Sequence, residues 1–204
     1  MRRIVATIWN GSIRLLGRLV GVLAAWGTAR GWLYFPFISQ ALSLIPFAVG
    51  WKLRREIYAC VLPEMGRDAV LHFGVTLEDE RTRIGNDVWV SAGAYIDYAE
   101  IGDHVLIGPH AVILAGGQQH RSDRLDIPVK LQGNHPKQPV KIGRGAWIGA
   151  NATVMADVGH DAIVAAGAFV TKPAPPFAVV AGNPARVMRN RHDEATEEAL
   201  AEKV

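Results

Sequence analysis

One six-residue period, carried in three columns, predicts an all-β core: a three-sided parallel β-helix of about five coils, with helices before it and a short helix after it. The first column is aliphatic. It runs Met65, Leu71, Leu77, Ile84, Val90, Ile96, Ile101, Ile107 and Ile113, then Ile142, Ile148, Val154, Val158, Val164 and Val170. The second column, one place later, is glycine at 66, 85, 102, 108, 143, 149 and 159. The third column, four places after the aliphatic, is small or valine, as at Ala69, Val75, Val88, Ala94, Val105, Ala111, Ala146, Ala152, Ala162 and Ala168. A helix repeats at 3.6 residues and a strand at 2, so a sustained six fits neither. It fits flat faces of one hexapeptide each, three to a coil, with coils stacked at the ~4.8 Å strand spacing.

In such a prism the aliphatic fills the interior from its face, the small residue packs near the corner, and the glycine is expected to ease the turn. Hexapeptide repeats of this kind build left-handed coils, an exception to the right-handed crossover rule. The step departs from six at Leu77–Ile84, Ile96–Ile101 and Val154–Val158, and the period is lost between Ile113 and Ile142. The prism is assigned to residues 65–190. Its raw ends need cover. Residues 1–64 would cover one end. The acidic tail 191–204, with Glu197, Glu198 and Leu200, reads as a short C-terminal helix near the other.

Composition excludes other classes. Half of the 204 residues are hydrophobic and a fifth are charged, which is unlike a disordered chain. Cys60 is the only cysteine, so no internal disulfide framework exists. A net charge of +3 does not argue for nucleic acid, and no nucleic-acid partner is expected.

The charge is nevertheless uneven. Residues 1–56 hold Arg2, Arg3, Arg14, Arg18, Arg30, Lys52, Arg54 and Arg55 against the single acid Glu56. Ile4, Ile8, Leu15, Leu16, Leu19 and Leu23 recur near helical spacing, which predicts a basic amphipathic helix. The uncharged run from Gly31 to Trp51 is long enough to span a bilayer, but Pro36, Pro46 and Gln40 weigh against a single clean span. Three readings remain open for residues 1–60: a cap on the prism or on a partner subunit, peripheral contact with a membrane, and a true span, which the prolines disfavour. The expected localisation is cytoplasmic, peripheral at the inner membrane under the second reading.

Residues 119–141 break the period, and it resumes cleanly at Ile142. A long loop ejected from a rigid scaffold is a favoured place for function. This one carries His120, Arg121, Asp123, Arg124, Asp126 and His135. A histidine there can act as a general base near neutral pH, or can simply be part of a solvated polar loop.

From Ile101 to Arg189 the chain resembles the hexapeptide-repeat acyltransferases, in particular the maltose and galactoside O-acetyltransferases and the acetyltransferases of polysaccharide biosynthesis. The resemblance rests on the loop histidine and on the run Pro139-Val140-Lys141-Ile142-Gly143-Arg144-Gly145-Ala146-Trp147-Ile148-Gly149-Ala150. It rests also on Ala165-Ala166-Gly167-Ala168-Phe169-Val170-Thr171-Lys172 and on Ala181-Gly182-Asn183-Pro184-Ala185-Arg186. Arg124 to Pro128 and Gln132-Gly133 lean toward the polysaccharide branch. The segment Val154 to Val158 departs from the family, being two residues shorter than its usual turn.

The resemblance implies acetyl-CoA as donor, a sugar or glycan acceptor and a homotrimer with active sites between prisms. Residue by residue it implies His120 as the catalytic base. It places Asp97, Trp147 and Arg124 on the acceptor side, and Gly149, Ala166, Thr171, Lys172, Arg186 and Arg189 along the coenzyme A groove. Cations such as Lys172, Arg186 and Arg189 suit phosphates. Two other classes compete. Zinc chemistry of a carbonic-anhydrase type would need clustered histidines, but His104 and His110 hold the fourth place of two different hexapeptides and would point outward from different faces, so no metal is expected. A non-catalytic solenoid scaffold would need no site at all.

Overall fold

The aliphatic column lines the inside of a three-sided parallel β-helix. The computed structural model of the chain describes residues 2–117 and 119–193, with side chains from residue 11 onward. One side of the prism stacks Met65, Ile84, Ile101 and Ile142 in register, continued by bridges to Val158 and Ala174. The second stacks Leu71, Val90, Ile107, Ile148, Val164 and Val180. The third stacks Leu77, Ile96, Ile113, Val154 and Val170. The result is five complete coils and two sides of a sixth. The periodicity did not reveal the extra part-coil, because Ala174 stands where an aliphatic would mark it.

The core is this column plus the small residues four places on. Leu71, Ile84, Val90, Ile96, Ile107, Ile113, Ile148 and Val154 are fully buried, and so are Ala94, Ala111, Ala146 and Ala152. Burying branched side chains in stacked layers is what drives the coils together.

The glycine column has a different cause from the expected one. The left-handed turn residue sits at the fourth place, not the second. Asp68, Asp87, His104, His110, Asn151 and Asp161 all have φ between 52° and 59° there. Asn, Asp and His tolerate that conformation better than most side chains, which explains their recurrence at corners. The second-place glycines answer to close stacking instead. A Cβ on Gly149 would lie 2.4 Å from the backbone N of Ala166 in the next coil. The short step from Val154 to Val158 is also absorbed locally. The Asp157 carboxylate accepts from the backbone N–H of Lys141 (2.8 Å), and Val158 keeps its register between Ile142 and Ala174.

Three helices close the first coil: α1 (Arg2–Ala29), α2 (Phe35–Ser43, with Pro36 in its first turn) and α3 (Phe47–Val61). Proline is tolerated there because the first helical N–H groups have no intrahelical partner. Arg54 of α3 is buried against the raw edge. Its Nε donates to the Leu71 carbonyl (2.8 Å), and its Nη1 to those of Leu42 (2.7 Å) and Ile45 (3.0 Å). Burial lowers the pKa of this guanidinium. The Ser39 hydroxyl accepts from the backbone N–H of Leu77 (2.7 Å) and from Tyr58 Oη (3.0 Å). Burial pushes the Tyr58 phenol up to about 12. On the other side of α3, Gly17 and Gly21 let α1 approach closely, since a Cβ at Gly21 would meet Ile57 Cα at 3.0 Å.

The opposite end is closed by a hairpin that the repeat does not announce. Strand Arg186–Asn190 turns back antiparallel on strand Ala178–Ala181. Residues 191–193 are helical, and the remainder of the expected C-terminal helix, 194–204, lies outside the described residues.

Candidate active site

The loop leaves the prism after the third side of the third coil. Asp97, Leu114, Met155 and Thr171 follow the aliphatic of that side in successive coils, so they form one edge of the prism. The backbone bonds Asp97 N–H to Ile113 O (2.8 Å), Leu114 N–H to Val154 O (2.9 Å) and Met155 N–H to Val170 O (2.9 Å) confirm the column. Loop 119–141 therefore starts on the edge that carries Asp97 below and Thr171 and Lys172 above.

Asp97 is the loop's anchor. Its side chain is 3% exposed. One carboxylate oxygen accepts from Lys137 Nζ at 2.5 Å, the other from Gln119 Nε2 at 2.7 Å. Lys137 and Gln119 belong to the two ends of the loop, so a single buried carboxylate ties both to the prism. Charge-assisted bonds of this length are the strong kind. In this chain the Asp97 oxygens are directed at the loop.

The loop folds back on itself. Arg121 N–H donates to Gly133 O (3.1 Å) and His135 N–H to Gln119 O (3.0 Å), pairing residues 119–121 with 133–135. His120 faces Asn134 across this pair, with Nδ1 2.7 Å from the amide Oδ1. With Oδ1 as acceptor, Nδ1 is the donor of this contact, and in the neutral imidazole the Nε2 lone pair is then the one left for a proton. His120, Arg121, Ser122, Asp123 and His135 line a cavity of about 390 Å³. Asn134 was missed from the sequence, because its role exists only once the loop folds back and brings it to His120.

Arg124 lies further out. It is paired with Asp126 two residues on, while Gln132 accepts from its N–H (3.0 Å) and donates to its carbonyl (2.7 Å). The Arg-x-Asp-Ile-Pro and Gln-Gly elements thus brace the loop tip, including a single turn of 3-10 helix at Val129–Leu131. Arg124 does not line the His120 cavity.

The other anticipated residues spread over the outer surface. Trp147 is half-exposed on the second side, stacked between Leu106 and Ile163. Gly149 and Ala166 follow on the corner beyond it. Thr171 and Lys172 are exposed on the loop-bearing edge, and Arg186 and Arg189 are exposed on the closing strand. Exposed cations on the last coils suit the phosphates of a coenzyme A. A single prism does not gather these residues with His120, whose cavity is lined by loop residues alone.

A second cleft adjoins the same edge. It has a volume of about 490 Å³ and is lined in part by Trp32, Tyr34, Glu78, Asp79, Glu80 and Arg81. Asp79 N–H donates to Asp97 O (3.1 Å), so this cleft lies one coil below the loop's anchor. Burial raises the Asp79 carboxyl pKa, but hydrogen bonds from Arg81 and the charges of Arg81 and Lys137 outweigh it, and the pKa ends below the usual carboxylate value. The Arg81 guanidinium also lies over the Tyr98 ring at 4.4 Å. Tyr95 is pushed up to about 12 by burial and by the nearby Glu78, Asp97 and Tyr34. Among the described residues no group of three or more His, Cys, Asp or Glu could hold a metal ion.

Comparison with known proteins agrees with this architecture. Two family models match: bacterial transferase hexapeptide (six repeats) over residues 81–115, and hexapeptide repeat of succinyl-transferase over 139–172. The galactoside O-acetyltransferase of Escherichia coli K12 is 29% identical over 131 residues, covering 63% of this chain and 54% of that protein. Serine acetyltransferase 2 of Arabidopsis thaliana is 33% identical over 144 residues, covering 68% of this chain and 39% of that protein. The chain thus spans about half, or less, of the length of these relatives. A hexapeptide-repeat acetyltransferase of Vibrio cholerae, solved with acetyl coenzyme A, superposes with a TM-score of 0.50 at 24% identity, covering 80% of this chain and 91% of that one. At that identity the likeness is one of fold.

Proposed function

Since the chain belongs to the hexapeptide-repeat acyltransferase family, we propose that it transfers an acetyl group from acetyl-CoA to a hydroxyl, or an amine, of a sugar or polysaccharide precursor, with His120 as general base. The observation that carries the reading is the His120–Asn134 contact at 2.7 Å on a loop pinned at both ends by Asp97. It supplies an oriented imidazole beside an open cavity, which is what a base on a scaffolded loop requires.

The acceptor oxygen attacks the thioester carbonyl carbon while Nε2 of His120 takes its proton. The carbonyl electrons move to oxygen, and backbone N–H groups of the loop and coil stabilise that oxyanion. Collapse of the intermediate breaks the C–S bond, and the imidazolium returns its proton to the leaving sulfur. The products are an acetyl ester (or amide) and coenzyme A. Lys172, Arg186 and Arg189 are assigned to the phosphates of the donor.

A sugar acceptor is favoured by the cleft of Trp32, Tyr34, Glu78 and Arg81, which offers aromatic faces and carboxylates on the loop-bearing edge. Transfer to oxygen is favoured by the relationship to a galactoside O-acetyltransferase. The spread of Trp147 and the groove residues away from His120 favours a homotrimer, in which neighbouring prisms complete each site.

A coenzyme A release assay with acetyl-CoA as donor, run across a panel of sugars and glycans, tests the proposal. Release that depends on a saccharide supports it. No release with any acceptor, together with no coenzyme A binding, would overturn it in favour of a scaffold.

A further inference from the structure

The outward face of α1 is unlike a protein surface in contact with water. Leu15, Leu19, Val22 and Trp26 recur at helical spacing along one arc, and Leu16 and Leu23 widen it; all six are exposed, Leu23 by 67%. The opposite arc, Ile13, Gly17, Gly21 and Ala24, is buried, so from residue 11 onward α1 carries two apolar arcs, of which only one is covered. The patch continues past the helix end. Trp32 meets Trp26 edge to face at 4.8 Å and is 70% exposed, and Tyr34 and Phe37 are exposed beside it. The Arg30 guanidinium sits 3.9 Å over the Trp26 ring. Exposed contiguous apolar surface of this extent marks an interaction site.

The occupant follows from charge and composition. Arg14 and Arg18 lie off the rim of the arc and Arg30 at its end, within a segment whose single acid, Glu56, is already paired with Arg18 and Arg55. Aliphatics flanked by tryptophan, tyrosine and arginine match the gradient from acyl chain to headgroup. A second copy presenting the same face would set like charges against each other. Among the described residues no helix is long and apolar enough to cross a membrane, so the contact lies in the interface plane. The geometry points to peripheral docking of α1 and the Trp26–Phe37 turn on an anionic bilayer surface. This inference stands whether or not the chain transfers acetyl groups.

Cosedimentation of the full chain with vesicles tests it, using phosphatidylcholine alone and phosphatidylcholine mixed with phosphatidylglycerol, at low and high salt. The chain should pellet with the anionic vesicles at low salt and be released by high salt. Leu19→Glu combined with Leu23→Glu should lower the bound fraction about ten-fold or more, with unchanged circular dichroism and subunit mass. Phe37→Ser, which changes neither α1 nor a residue lining the cleft, should also weaken binding. A wild-type chain that stays in the supernatant with both vesicles at low salt overturns the inference. So does a double variant that keeps vesicle binding but changes subunit mass, since the face would then be a contact between copies.

Discussion

Nδ1 of His120 lies 2.7 Å from Oδ1 of Asn134, across a two-stranded pairing inside the ejected loop. One ring nitrogen is thereby committed, and the other is left for chemistry. Asn134 is a positioning residue in this account, and its removal should cost less than removal of the base. Asn134→Ala should lower kcat about ten-fold, with a smaller change in KM. Asn134→Asp should favour the imidazolium and move the acid limb of the kcat–pH profile to higher pH. An unmoved profile would reduce Asn134 to a loop brace.

The Asp97–Lys137 pair predicts how the loop is held. Lys137→Met would leave a buried carboxylate with only Gln119 and the Ala115 N–H as partners. Loss of one partner of a buried pair costs about 3–5 kcal/mol, and the half-buried Lys137 and remaining bonds reduce that to about 2. Thermal unfolding should fall by several degrees. Limited proteolysis should cut faster within 119–141. Unchanged cutting would mean that the loop is held by its internal pairing alone.

Arg54 makes a comparable prediction for the cap. Arg54→Leu would strip the Leu71 and Ile45 carbonyls of the Arg54 donor and leave that of Leu42 with the Ile45 N–H alone (3.2 Å), at a cost of about 3 kcal/mol. Arg54→Lys should recover little of it, because a compact ammonium cannot replace the planar fork. Denaturant unfolding of the two variants checks this, and full rescue by lysine would contradict the geometry.

The prism was legible in the sequence because buried aliphatics at a strict period of six leave few architectures open. What escaped had no period to betray it. Ala174 hides the sixth part-coil, and the closing hairpin Arg186–Asn190 carries an exposed pattern with no alternation. The second-place glycines were visible but their cause was not, since a stacking clash between Gly149 and Ala166 depends on which coils meet. His120 stood out as a histidine in a loop that breaks the repeat. Asn134 and Lys137 did not, because their roles arise only when the two ends of the loop come together.

Asp79 predicts part of the acid sensitivity. Arg81 and Lys137 hold its carboxyl below the usual value despite burial. A depressed carboxyl contributes its full stability above the unfolded pKa and loses it as pH falls through the folded one. Asp79→Asn should therefore flatten the stability–pH curve below about pH 4 and change its slope little above. Equal slopes for both proteins in the acid range would remove Asp79 from the account.

The central claim is that His120 takes the acceptor proton. Its most direct test is coenzyme A release by His120→Ala beside the wild-type chain, with acetyl-CoA and the best saccharide of the panel. The account predicts turnover lower by about 10²–10⁴, with coenzyme A affinity and subunit mass unchanged. Turnover near that of the wild type in a folded His120→Ala protein would contradict it.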